Sequence, residues 1–206
     1  MKNKYLKLIG IILLALEIGC APIGVIRKGF DITNVERIGI LSFSSYSTGT
    51  PSSGDMVADE FSKQLMIKGY TVVERRRIEA IMRELNYKYG DVQDPAIIRE
   101  IGKKLGVDYL MTGTVSKYIP EKRYLVIKGQ NDMIALDGAG VRTMDFTQDD
   151  ASVVLTNADV GITARLFEVT TGNVVWIGSY SYESFDIETA VEWTVAGLTK
   201  MFKKKF

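Results

Sequence analysis

Between Thr71 and Val115 the chain reads TVVERRRIEAIMRELNYKYGDVQDPAIIREIGKKLGVDYLMTGTV, and the punctuation of this stretch leaves few alternatives for its fold. Thr71 to Val73 is a β-branched run. Ile78, Ile81, Met82 and Leu85 then recur at i, i+3, i+4 and i+7, the spacing of one apolar helix face. Asp94 offers an N-cap side chain, and Pro95 takes the first helical position, where a missing N–H costs nothing. Ile97, Ile98, Ile101 and Leu105 carry a second stripe up to Gly106. From Val107 to Val115 the residues turn apolar and β-prone, the pattern of a buried strand. The predicted order is strand, helix, helix, strand.

The flanking segments extend the alternation. Arg37 to Phe43 (RIGILSF) has strand length. A loop from Ser44 to Gly54 follows, and Met56, Val57, Phe61 and Leu65 then share one helix face. Residues 118–158 break the pattern with Asp132, Asp137, Asp145, Asp149 and Asp150, a Gly138-Ala139-Gly140 turn and short alternating runs, which reads as an inserted β-rich excursion. Its segments Arg123 to Lys128 and Asp132 to Asp137 are shorter than the roughly nine to eleven residues of a membrane-spanning strand. Order returns at Asp159, where Val160, Ile162, Ala164 and Leu166 alternate with Gly161, Thr163, Arg165 and Phe167. Thr170 to Asn173 makes a turn, and Val174 to Glu183 returns as the second strand of a hairpin. Trp176, Tyr180 and Tyr182 fall on one face of it and are expected to pack against a helix. Asp186 caps a last helix with the stripe Ile187, Val191, Val195, Leu198 and Phe202. Lysines at 200 and 203–205 suit the negative end of its dipole.

A chain of 206 residues with 46% hydrophobic content can bury one full core. The expected fold class is α/β: a single domain with a mixed β-sheet of about five strands flanked by about four helices, with a β-rich insertion.

The N-terminus is a targeting segment. Lys2, Lys4 and Lys7 form a basic region, and Leu8 to Leu16 form an apolar run too short to cross a bilayer, so a cleavable export signal is expected over residues 1–19. The only cysteine, Cys20, stands where such a signal is cut, after Leu16-Glu17-Ile18-Gly19. That looks like a bacterial lipoprotein box, although Glu17 occupies the place where the usual box has leucine. Residues 20–36 hold Pro22, Gly24 and Gly29 with little periodicity and read as a lipid-anchored linker, leaving 37–206 as the folded domain. Cleavage before Cys20 removes Lys2, Lys4, Lys7 and Glu17 from 26 basic and 25 acidic residues, leaving 23 and 24. A near-neutral chain of this kind does not point to nucleic acid.

The catalytic inventory is thin. With no histidine in the chain, Ser-His-Asp and Cys-His catalysis and His-ligated zinc are excluded. Carboxylate catalysis stays open in principle, but no pair stands out, and Glu74, Glu79 and Glu84 read as solvent-facing helix charges. Gly49 and Gly54 have phosphate-loop spacing, yet Asp55 and Met56 stand where that loop needs Lys and then Ser or Thr, so no nucleotide is expected. The Asp145 to Asp150 cluster lacks the glycine and terminal glutamate of a calcium loop. No cofactor, no metal and no enzymatic activity are expected.

RIGILSF, the loop and helix after it, Val73-Glu74-Arg75, Gly102-Lys103-Lys104-Leu105-Gly106-Val107-Asp108 and Thr171-Gly172 between two strands together resemble the CsgG family of exported bacterial lipoproteins. Similar domains occur in the lipoprotein LpoB and in the N-terminal domain of TolB. The resemblance implies an exported α/β domain on the periplasmic side of the outer membrane, lipid-anchored through Cys20, that binds protein partners in the cell envelope or associates with itself. Ala21 after the cysteine favours the outer membrane on the same grounds. In curli export the family member forms a ring whose subunits each give two β-hairpins to a pore. Here the first would have to come from residues 118–158, and only Ser184, Phe185 and Asp186 lie where the second would sit. A non-enzymatic protein-binding and assembly module is therefore expected, with a subunit of a curli-type secretion channel as the alternative. The expected partner contacts are Tyr46, Thr48 and Pro51 in the first loop and Arg123, Arg142 and Phe146 in the insertion.

Overall fold

A computed structural model describes residues 22–45, 52–73, 75–88, 92, 94–127, 133–135 and 151–202. Four helices are described: α1 (Ser53–Ile67), α2 (Arg75–Glu84), α3 (Pro95–Leu105) and α4 (Ile187–Thr199). The strands are β1 (Ile23–Ile26), β2 (Arg37–Ile40), β3 (Ser44–Ser45), β4 (Thr71–Val73) and β5 (Tyr109–Ile119). They continue with β6 (Arg123–Ile127), β7 (Met133–Ala135), β8 (Ala151–Leu155), β9 (Ala158–Glu168) and β10 (Val174–Ser184).

The α3 signals act as their residue types predict. The Asp94 carboxylate accepts a hydrogen bond from Ala96 N at 2.7 Å, and Gly106 closes the helix at φ 65°, a left-handed conformation that costs glycine little. Ile98, Ile101 and Leu105 are fully buried, as the stripe requires. At the other end of the chain Asp186 caps α4 by accepting from Thr189 N at 2.7 Å.

The main sheet is mixed and has seven strands, in the order β1-β10-β9-β5-β2-β4 with β3 paired to β5. β2 pairs in parallel with both β4 and β5, whereas β5, β9, β10 and β1 run antiparallel in succession. Each face of the sheet carries a core. On one, α1 and α4 pack over β2, β5, β9 and β10, with Phe43 stacked on Phe61 at 5.1 Å and Trp176 edge-on to Phe202 at 5.0 Å. On the other, α2 and α3 cover Leu41, Leu110, Phe167 and Val169. The parallel half of the sheet is therefore sandwiched, while the antiparallel half is open on the α2–α3 side, the arrangement that antiparallel sheets tolerate.

Two boundaries differ from the sequence reading. The sheet has seven strands because β1 and the two-residue β3 join it, neither of which is long enough to show a period. Residues 20–36, expected as a linker, belong to the domain from Ile23 onward. β1 pairs with β10 from Ile23↔Ser179 to Ile26↔Trp176, and Asp31 caps a 3-10 turn (Ile32–Asn34) through Thr33. Arg27 then reaches Glu168 at 3.3 Å, fastening the end of β1 to the β9–β10 turn. RIGILSF is also divided: β2 stops at Ile40, Leu41 N still bonds to Met111 O, and β3 resumes beside β5.

The hairpin aromatics do pack against helices. Trp176 is fully buried, Gly197 of α4 lies against the Tyr180 ring, and Tyr182 stacks on Trp193 at 6.1 Å.

Two measurements check this packing. Trp176→Ala empties the largest fully buried site and is expected to cost about 3–5 kcal/mol in denaturant unfolding. The Glu168 pKa is lowered, first by the hydrogen bond from Thr171 and then by Arg27. Its contribution to stability is thus present above the ordinary glutamate range and is lost as the pH falls through the folded-state value. Glu168→Gln is expected to flatten the dependence of stability on pH below about 4.3.

Candidate interaction surfaces

The β5–β9 ladder in the middle of the sheet does not stop at the domain surface. Ile119 pairs with Asp159, and four residues further along each strand Arg123 pairs with Leu155. Between them Thr156 N donates to Lys122 O at 2.9 Å, and Lys122 N donates to Thr156 Oγ1 at 2.8 Å. From Lys117↔Gly161 outward, past a bulge between Val115 and Lys117, the register is kept, so β6 and β8 prolong the β5–β9 ladder. β7 adds to the other side of β6, making a three-stranded arm in the order β7-β6-β8. The expected β-rich excursion is thus an outgrowth of the central strands.

Val153, Val154 and Leu155 on β8 are consecutive, so they point to alternate faces, and all three are exposed, Leu155 at 65%. The arm therefore presents apolar side chains on both faces. Its base is held by Glu121, which accepts from Ile187 N at 3.0 Å at the start of α4. Asp186 faces the same helix end, and its pKa is lowered chiefly by the backbone hydrogen bond from Thr189. Beside it Phe185 is 85% exposed in the turn between β10 and α4.

A second surface surrounds the start of α1. Ser42 Oγ donates to the Asp55 carboxylate, Ser53 Oγ donates to Ser45 Oγ at 2.8 Å, and Phe43 N donates to Gly54 O at 3.3 Å. Arg75 of α2 pairs with Asp55 at 3.2 Å and also with Asp59. The residue that replaces the phosphate-loop lysine therefore joins the β2–β3 connection, α1 and α2. Sequence spacing identifies Asp55 as unsuited to phosphate; its partner Arg75 lies on another element and has no local signal.

Of the predicted contact residues, Arg123 is described: it is exposed at the first position of β6. Tyr46, Thr48, Pro51, Arg142, Phe146 and the lipidation candidate Cys20 lie outside the described residues, as does the Asp145 to Asp150 cluster. Among the described residues no group of three His, Cys, Asp or Glu side chains could hold a metal ion, and no helix is long and apolar enough to cross a membrane. The exposed apolar residues of β8 are a feature that sequence reasoning missed, because alternation alone does not tell a covered strand from an uncovered one.

Because Lys122 and Thr156 already bond to each other, residues 123–155 can be replaced by an Asn-Gly turn. The shortened chain is expected to keep its circular dichroism and to melt within a few degrees of the parent. Loss of cooperative unfolding would show instead that the arm is part of the core.

Residues 18–193 match the family model described as "Curli production assembly/transport component CsgG", and the chain belongs to this family. Among solved structures, a PelC dodecamer from Paraburkholderia phytofirmans superposes with a TM-score of 0.52 at 12% identity, covering 90% of this chain and 99% of that one. Lipoprotein GNA1162 from Neisseria meningitidis gives 0.48 at 17%, covering 72% and 83%. The LpoB C-terminal domain from Escherichia coli gives 0.44 at 13%, covering 75% and 88%. No curated protein matches the chain.

Proposed function

From its membership of the CsgG family, we propose that this protein is a non-enzymatic assembly module of the bacterial cell envelope, held on the periplasmic side of the outer membrane by lipid on Cys20. It works through contacts with protein partners, including copies of itself. The observation that carries the reading is the arm. A ladder rooted in the middle of the core is carried past the domain surface, where it displays Val153, Val154 and Leu155 on both faces. Such apolar display is costly in a free monomer and is characteristic of a surface that another body covers. The core supplies rigidity, the arm supplies contact, and neither role needs a titrating residue or a cofactor.

The same arm favours a second reading, a subunit of an oligomeric secretion channel, because a hairpin with apolar residues outward is what a barrel wall takes from each subunit. Between β10 and α4 only Phe185 and Asp186 intervene, so each subunit would bring a single hairpin.

Fractionation tests the anchor. Wild-type protein is expected in outer-membrane fractions and Cys20→Ala in soluble ones, and unchanged association of the variant would contradict lipid anchoring. Conductance in planar bilayers separates the two readings. The module is expected to give none, whereas stepwise channels from purified protein would favour the pore.

A further inference from the structure

β1 is held to the sheet with little burial. Ile23, Val25 and Ile26 all stay exposed, and the strand is only four residues long. Pairing with β10, the bond from Arg27 N to Val175 O at 2.9 Å and the Arg27–Glu168 pair fasten its backbone and its end. On the α4 side Gly24 lies over Trp176 and Met201, so close that a Cβ there would run into the thioether.

Met201 is fixed where it stands. It follows the last turn of α4, where Phe202 N bonds to Thr199 O at 2.9 Å and the buried Phe202 ring sits edge-on to Trp176. Its Sδ accepts a hydrogen bond from Trp176 Nε1 at 2.6 Å. The Trp176 side chain is fully buried, and a buried indole N–H left without an acceptor is costly. One thioether therefore satisfies Trp176 and forms the seat on which β1 lies.

The same sulfur is open to small molecules. Met201 is half-buried and lines a groove of about 230 Å³ together with Pro22, Ile23, Leu198 and Lys200. Met82 and Met111 are closed off in the two cores, and Met56 takes a hydrogen bond from the Tyr118 hydroxyl of β5 at 3.3 Å. Met66 is 62% exposed beside β4, at the opposite edge of the sheet.

Hydrogen peroxide converts a thioether to a sulfoxide. The sulfur lone pair attacks one peroxide oxygen and the O–O bond breaks. The hydroxide released takes the proton of the transferred hydroxyl and leaves as water, so sulfur loses the two electrons that the peroxide gains. At Met201 the new oxygen has two places to go. Pointing into the groove, it leaves the Trp176 N–H facing an electron-poor sulfur. Turned to Trp176, it takes the hydrogen bond and drives the sulfur toward Gly24, where even a Cβ has no room. Either way the seat of β1 is lost.

We propose that Met201 is an oxidation site whose sulfoxide releases β1 from the sheet edge, making the strand a redox-sensitive latch. What the latch does for the protein rests on the lipid-anchor reading. β1 begins three residues after Cys20, and the next buried residue, Ile32, lies twelve residues after it. At roughly 3.3–3.6 Å per extended residue, release lengthens the free chain from about 10 Å to about 40 Å. Peroxide in the envelope would thus set how far the domain reaches from its anchor.

The test uses the full chain carrying Cys20→Ala, which has no thiol to compete. After hydrogen peroxide, methionine oxidation and amide exchange are read on the same peptides by mass spectrometry. Exchange at residues 23–27 is expected to quicken several-fold in step with the gain of one oxygen at Met201, and to return after treatment with both methionine sulfoxide reductases, while β5 and β9 stay protected. Met201→Leu nearly keeps the volume and cannot take the oxygen, so peroxide is expected to leave its exchange at residues 23–27 where it was. Complete oxidation of Met201 with unchanged exchange in β1 would overturn the proposal. So would a Met201 that stays reduced while Met66 is converted, a quickening that the reductases do not reverse, or an equal quickening in Met201→Leu. These readouts do not involve lipid, and the fractionation of Cys20→Ala judges the anchor separately.

Discussion

The β5–β9 ladder is the constraint on which the rest of the molecule depends. It fixes the middle of the sheet, with β2 and β3 in parallel on one flank and β10 on the other. Glycine sits where the layers are closest: a Cβ at Gly113 would run into Phe43 and the backbone of β9. Side chains from the two strands enter both cores, Met111, Val115, Val160, Ile162 and Leu166 on the α1–α4 side and Leu110 and Phe167 on the α2–α3 side. Beyond a bulge between Val115 and Lys117, the register set at Lys117↔Gly161 runs on through Lys122 and Thr156, so the position of the arm is set by the end of the core ladder.

From this follows a division of labour between the two halves of the sheet. The parallel half is covered on both faces and buries α3 and part of α2. The antiparallel half keeps its α2–α3 side open. There Thr163 and Ser179 bond across strands at 3.1 Å, and Asp159 takes both Lys117 and Ser181, so polar groups satisfy one another on a wet face. Apolar exposure is concentrated at the ends: β1 at one edge, the end of α1 by the other, and the arm beyond the β5–β9 end. A domain with polar faces and apolar margins is suited to joining neighbours at those margins.

Much of this was legible in the sequence wherever the signal is local. Asp94, Pro95 and Gly106 mark α3 within a dozen residues, and Thr170 to Asn173 marks the β9–β10 turn, where Gly172 takes φ 75°. β1 reads as linker in the sequence because Ile23 to Ile26 is too short for a period, and its partner Ser179 is far along the chain. The excursion shows in the sequence only as short runs because β6 and β8 are five residues each, and their continuity with β5 and β9 exists only in the register. Arg75 stands out in the sequence only within the Val73-Glu74-Arg75 resemblance; its grip on Asp55 and Asp59 arises from packing α1 against β4 and α2, which no spacing rule encodes.

Native-state hydrogen exchange, read by mass spectrometry at peptide resolution, tests the dependence on the β5–β9 ladder most directly. Amides of residues 109–119 and 158–168 are expected to exchange only through global unfolding. Those of 123–127 and 151–155 should exchange faster yet remain protected as paired strands. Exchange of 109–119 at rates as fast as those of the arm would contradict the account, because the strands taken to anchor the sheet would then open independently of it.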